Sequence, residues 1–316
     1  MFTQSVILFA SRELTLDDIE GALSPFEVHG RTAGDETAHW AFGAPALILQ
    51  LPGTVDGRVI VDVVNERWHD LPGDPDQEPD LFAAWSMGGF GPLAYPGCLE
   101  RAGTQAWAWR QASSAIRQQK CFVRLRTTYL DDDDGQQTAP EDHDPKGELL
   151  FLSEVGRALL GVTGMICWFD PAGEAVRPPH MVEQALDWHL TDDALPLDLW
   201  TNVRLGKLDD DGSWLVMDSI GMQQLGLPDI EIAFARDAFT FDQVSEMVRD
   251  LVAYLAEEGD VVEDGHTVDG PDDSAWLALR FDGSRALPPR PVVRLVPVGV
   301  DVPEALLARA KGSNHQ

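Results

Sequence analysis

Few residues of this chain combine the type and spacing that chemistry needs, and the densest group is Gly221-Met222-Gln223-Gln224-Leu225-Gly226-Leu227-Pro228-Asp229-Ile230-Glu231-Ile232. Asp229 and Glu231 alternate with Ile230 and Ile232, so on a strand both carboxylates share one face. Enclosed, such a pair can serve as general acid and general base. On an open face the same pair is a solvated sheet edge. Gly221 and Gly226 are the backbone punctuation before that strand. Trp85 and Trp107 complete the candidate binding residues, Trp85 leading into the glycine-dense run Gly88-Gly89-Phe90-Gly91-Pro92.

Other chemistries lack their spacing. Asp131-Asp132-Asp133-Asp134, with Asp142, His143 and Asp144 beyond, suggests a divalent cation. A calcium loop counted from Asp131 would put Gln136 at the glycine position and Asp142 at the glutamate position, so the pattern fails. Asp209-Asp210-Asp211-Gly212 fails too, with Ile220 at its twelfth place. His180 and His189 are nine residues apart and do not share a helical face as a zinc pair would. There is no G-x-S-x-G elbow, no G-x-G-x-x-G and no P-loop. Cys98, Cys121 and Cys167 are widely spaced, with no C-x-x-C pair, and Cys121 and Cys167, in strand-like apolar runs, read as buried apolar thiols. No catalytic residue, metal ligand or cofactor is assigned.

The elements that must position these residues follow from periodicity. Ser5–Ala10 is a buried strand, and Thr15 with Asp18 caps a short helix. Strands are expected over 38–42, 46–51 and 58–64, the last two as a hairpin. Leu99, Ala102, Ala106, Trp109, Ser113 and Ile116 predict one long helix from Cys98, and 121–126 a strand. After the acidic stretch come a helix over 149–160, a strand at 164–169 and a helix at 179–190. Strands follow at 197–205, 214–220 and 230–235. Thr240 and Gln243 form a capping box for a helix over 241–257, ended by Gly259. Strands at 264–268 and 275–281 lead into a Pro-rich arm.

The fold expected is α+β and mostly antiparallel, with two similar sheet-and-helix units packed together. Each reads strand, helix, three strands, helix, strand. The expected boundaries are 1–130 for the first unit, 131–146 for an acidic linker, 147–283 for the second unit and 284–316 for the arm.

Gly-Met-x-x-Leu-Gly-Leu-Pro-Asp-Ile-Glu-Ile, the helix after it, and Glu263-Asp264-Gly265-His266-Thr267 together resemble the bacterial domain-of-unknown-function family 4261. Ala158-Leu159-Leu160-Gly161-Val162 and Leu195-Pro196-Leu197 extend the likeness, which covers about 147 to 282. The resemblance implies no activity and gives no residue a catalytic role.

Charge bounds the partners. With 53 acidic against 23 basic residues the net charge is −30. That disfavours a nucleic-acid binder with a broad basic surface and a polybasic membrane anchor. A hydrophobic content of 44% with ten tryptophans provides a core, so the charge does not signal disorder. The acid is concentrated around 70–80, 131–144, 191–193, 209–211 and 257–273. No signal peptide is visible at the N-terminus and no apolar run reaches membrane-spanning length. The expectation is a cytoplasmic bacterial protein of acidic character that binds a protein with a basic surface, such as a toxin or secretion-system component. The alternative is a small-molecule enzyme with a site between the halves, near Trp85, Trp107, Asp229 and Glu231. A structural subunit is a third reading, and the oligomeric state is open.

Overall fold

The computed structural model describes residues 2–129, 139–209 and 212–308. The Asp131–Asp134 run and Asp210–Asp211 lie outside them. The chain divides into two compact units, Met1–Asn202 and Val203–Gln316.

The first unit is built on a seven-stranded antiparallel sheet. Its strands are β1 (Phe2–Ala10), β2 (Val28–Thr32), β3 (Ala46–Gln50), β4 (Gly57–Val64), β5 (Cys121–Tyr129), β6 (Met165–Asp170) and β7 (Ala175–Arg177). They run in the order β2-β3-β4-β5-β1-β6-β7. The helices are α1 (Leu16–Glu20), α2 (Trp40–Gly43), α3 (Pro79–Ser86), α4 (Cys98–Thr104), α5 (Ala112–Ile116), α6 (Pro145–Leu160), α7 (Pro179–Asp192) and α8 (Leu197–Trp200).

Alternation along β1 divides the core. Ile7 and Phe9 join an aromatic cluster with Trp68, Phe90, Phe122 and Phe169. On the other face α6 packs against β1, and its Gly156 lies so close to Trp168 that a Cβ would stand 2.6 Å from the indole. Glycine is required there by proximity rather than by its torsion angles.

Three sequence expectations change in this unit. The helix expected from Cys98 to Ile116 is two short helices, α4 and α5, broken around Trp107 and Trp109. Leu99, Ala102, Ala106 and Ile116 nevertheless share one core, so their spacing reflects burial against one surface rather than a continuous helix. In place of a strand at 38–42 the chain forms a turn of helix, α2, over Trp40–Gly43, capped by His39. Residues 197–205 split into α8 and the start of the next strand.

The second unit carries a six-stranded sheet of β8 (Asn202–Lys207), β9 (Trp214–Ile220), β10 (Asp229–Ala235), β11 (Thr267–Asp269), β12 (Ala275–Phe281) and β13 (Val292–Pro297). The order is β11-β12-β13-β10-β9-β8, with β10 and β13 parallel. Helix α9 (Phe241–Glu258) has the expected capping box of Thr240 and Gln243, and packs on β9 and β10. A last helical turn, α10, spans Glu304–Leu307.

The fold is α+β with two mostly antiparallel sheets, as expected. The division, however, falls after Asn202. Helix α6 and strands β6 and β7, read from sequence as the start of the second unit, complete the first sheet through the β1–β6 pairing. That pairing joins residues some 160 apart in sequence, and no local pattern announces it. The Pro-rich arm also differs from expectation: its Val292–Pro297 segment inserts as β13 between β12 and β10.

Candidate functional site

Strand β10 is interior, not an edge, and Asp229 and Glu231 are both buried. The solvated-edge reading of this pair is therefore replaced. Glu231 stands opposite Asp218 of β9 on one side and Arg294 of β13 on the other. The carboxylates share a face, as the alternation required, and each meets a guanidinium. Arg294 Nε donates to Glu231 Oε2 at 2.7 Å, and the Arg285 amide donates to Glu231 Oε1 at 2.7 Å. Arg290 Nε donates to Asp229 Oδ2 at 2.9 Å, and the Ser219 hydroxyl to Asp229 Oδ1 at 2.8 Å. Asp218 receives Arg290 at 2.5 Å and Arg204 at 2.6 Å.

Three carboxylates are thus matched by three arginines, Arg204, Arg290 and Arg294, all buried. Burial pushes the Asp229 carboxyl above its ordinary value, against the pull of Arg290 and of the Ser219 and Met222 donors. The arginines also reach backbone carbonyls of the arm. Arg290 donates to Ala286 and Pro288, Arg204 to Leu287 and Arg294 to Leu306. Chemically this is a neutral, saturated clamp that fastens residues 284–308 to the sheet. Its carboxylate oxygens are occupied by fixed donors, which leaves Asp229 and Glu231 poorly placed for proton transfer to a substrate.

Gly221 and Gly226 serve the same clamp. Both have left-handed φ, +125° and +72°, around the 3-10 turn Met222–Leu225. That turn returns the Met222 amide to Asp229 Oδ1 at 3.2 Å. Trp85 and Trp107 belong to the first unit. Trp85 stacks on Phe90 at 4.6 Å and donates its indole N–H to the His69 carbonyl, so it is core packing. Trp107 is 63% exposed. The structure therefore gathers four of the six candidates into one cluster, while the two tryptophans stand in the other unit. The three cysteines are buried, and burial raises each thiol, Cys121 to about 12.

A feature the sequence reading missed lies along α9. Its capped start and buried Val244, Val248, Val252 and Leu255 leave the opposite face to solvent. Between that face and the segment after β11 runs a groove of about 500 Å³. Glu246, Asp250, Asp269 and Asp272 line it over an apolar floor of Met247, Leu251 and Tyr254, and no Lys or Arg does. Asp272 holds a left-handed backbone, φ 55°, and its carboxylate accepts a 3.0 Å hydrogen bond from Gln243, the capping-box residue. Gly270 is fixed by close approach, since a Cβ there would lie 2.2 Å from Trp276 Nε1. The legible signal was the i, i+4 series Asp242, Glu246, Asp250.

Among the described residues no group of three or more His, Cys, Asp or Glu is placed to hold a metal ion. Among them, too, no helix is long and apolar enough to cross a membrane. No curated protein and no solved structure gave a significant match. Residues 218–296, from Asp218 to Val296, match the family model of a domain of unknown function, DUF4261, and this span contains the α9 groove and every clamp residue named above except Arg204 and Leu306.

Proposed function

We propose that the protein acts by binding, and that the acidic groove along α9 receives a cationic segment of a protein partner. The observation that carries this reading is the placement of charge. Seven acidic side chains and six arginines are buried among the described residues, so the interior is close to neutral. Nearly all of the −30 therefore lies outside that core, and four acidic residues line the α9 groove without a basic one. Such a surface accelerates encounter with a cationic partner and selects against anionic ones. The apolar floor of Met247, Leu251 and Tyr254 adds contact for the aliphatic stems of lysine or arginine. A bacterial cytoplasmic setting is part of the same proposal.

The test compares wild type with Glu246→Gln/Asp250→Asn for retention of an arginine-rich peptide at low and at high salt. Retention should fall steeply with salt and be lost in the double variant, which keeps the fold because both positions face solvent. Binding that is indifferent to salt, or equal in the variant, would refute the groove.

A further inference from the structure

The first unit contains a buried charge imbalance of the opposite sign. Arg124 and Arg126 alternate on β5 and so share a face, and they have one carboxylate between them, Asp62 of β4. Arg124 takes most of it: both its Nε and Nη2 donate to Asp62, and its other bonds go to the Ala41 and Gly89 carbonyls. Arg126 is left with Asp62 Oδ2 at 3.2 Å and the Gly89 carbonyl at 3.4 Å, while its Nε–H has no acceptor. Only two of the five guanidinium N–H groups are used. Yet Arg126 is only 8% exposed, and burial together with Arg124 pulls its pKa down to about 10. An interior charge that only shares a carboxylate with a second arginine and is not fully hydrogen-bonded is costly, and it invites a counter-ion.

Arg126 does not face solid packing. With Asp62 it lines a cavity of about 430 Å³ whose other walls include Phe2, Phe42, Ile48, Ile60 and Met87. The Phe2 ring lies over the guanidinium at 4.1 Å and walls it further from water. Small-molecule sites of ~300–1,000 Å³ typically combine apolar walls with a few placed polar groups, and this cavity has that form.

We infer that this cavity binds a small monocarboxylate with a short apolar chain, its carboxylate on Arg126 and its chain against Ile48, Ile60 and Met87. One negative charge balances the Asp62–Arg124–Arg126 group, and a planar carboxylate matches the arginine fork. A phosphate dianion would overshoot that balance and leave the apolar walls unused.

Octanoate titrated into the full-length protein, followed by calorimetry and by the melting midpoint, tests this against octanol, octylammonium and inorganic phosphate. Octanoate should bind saturably, at least about tenfold tighter than octanol, since one charge-assisted hydrogen bond is worth that much. Arg126→Met should remove the preference for octanoate. Ile48→Trp, which narrows the apolar part of the cavity and leaves both arginines in place, should weaken octanoate binding; it decides the matter if Arg126→Met does not fold. Equal binding of octanol and octanoate would reduce the site to an apolar hole. Phosphate binding that survives Ile48→Trp would reduce it to an ion site. Either result, or no saturable octanoate binding, overturns the inference.

Discussion

Replacing Glu231 by leucine removes the carboxylate that Arg294 and the Arg285 amide both require. Arg294 is 2% exposed, so its guanidinium could not recover water. Breaking a buried pair from one side costs ~3–5 kcal/mol, and an orphaned amide adds ~1–3 kcal/mol, partly offset by the new leucine. A loss of about 4 kcal/mol is expected, a large share of the ~5–15 kcal/mol typical of a folded protein. The double variant Glu231→Leu/Arg294→Met removes both charges together and should recover most of the loss from the broken pair, because apolar residues of similar volume often replace a buried pair at little cost, leaving a deficit of ~1–3 kcal/mol from the Arg285 amide that has lost its acceptor. Urea unfolding gives the free energies, and hydrogen exchange at β10 and β13 shows whether the loss is confined to the second unit. A single variant costing under about 1 kcal/mol, or a double variant no better than the single, would refute the description of this cluster as a neutral structural clamp.

Three other outcomes are expected. At pH 8 none of Cys98, Cys121 and Cys167 should react with a thiol reagent in the native protein, while all should react in denaturant, because burial hinders access and raises each thiol. Asp18 is held well below the usual carboxylate range by Arg12, then by the Thr15 amide and hydroxyl. Its contribution to stability is therefore present above its unfolded value of about 3.9 and is lost as pH falls through its folded value. An NMR titration should show the Asp18 pKa rising in Arg12→Ala. Gly156→Ala should destabilise by about 1 kcal/mol in urea unfolding: the methyl would press on Trp168, whose indole N–H is tied to the Leu199 carbonyl, and this overpacking outweighs the gain in helix propensity.

How much was legible depended on the range over which each feature is decided. The α9 boundaries were readable because a capping box and a terminal glycine act within one turn. The β3–β4 hairpin was readable because its turn is local. The shared face of Asp229 and Glu231 follows from strand geometry alone. The apparent long helix from Cys98 failed because residues packed on one core mimic helical spacing even when the backbone breaks between them. The arm reads as Pro-rich and without a strand, although Val292, Val293 and Val296 are strand-forming residues, because its prolines dominate the composition.

By itself the sequence determined the class of fold, the capped helices, the alternation along the strands and a net charge of −30. Only tertiary structure decided what the candidate carboxylates are for. Their arginines lie 61 and 63 residues downstream, Arg290 just before β13 and Arg294 within it, and no local pattern encodes the parallel pairing of that strand with β10. The same holds for Arg124 and Arg126, whose single shared acid arrives from β4 across the sheet. A carboxylate's chemistry depends on its burial and on the charges within a few ångströms, and long-range pairing sets both.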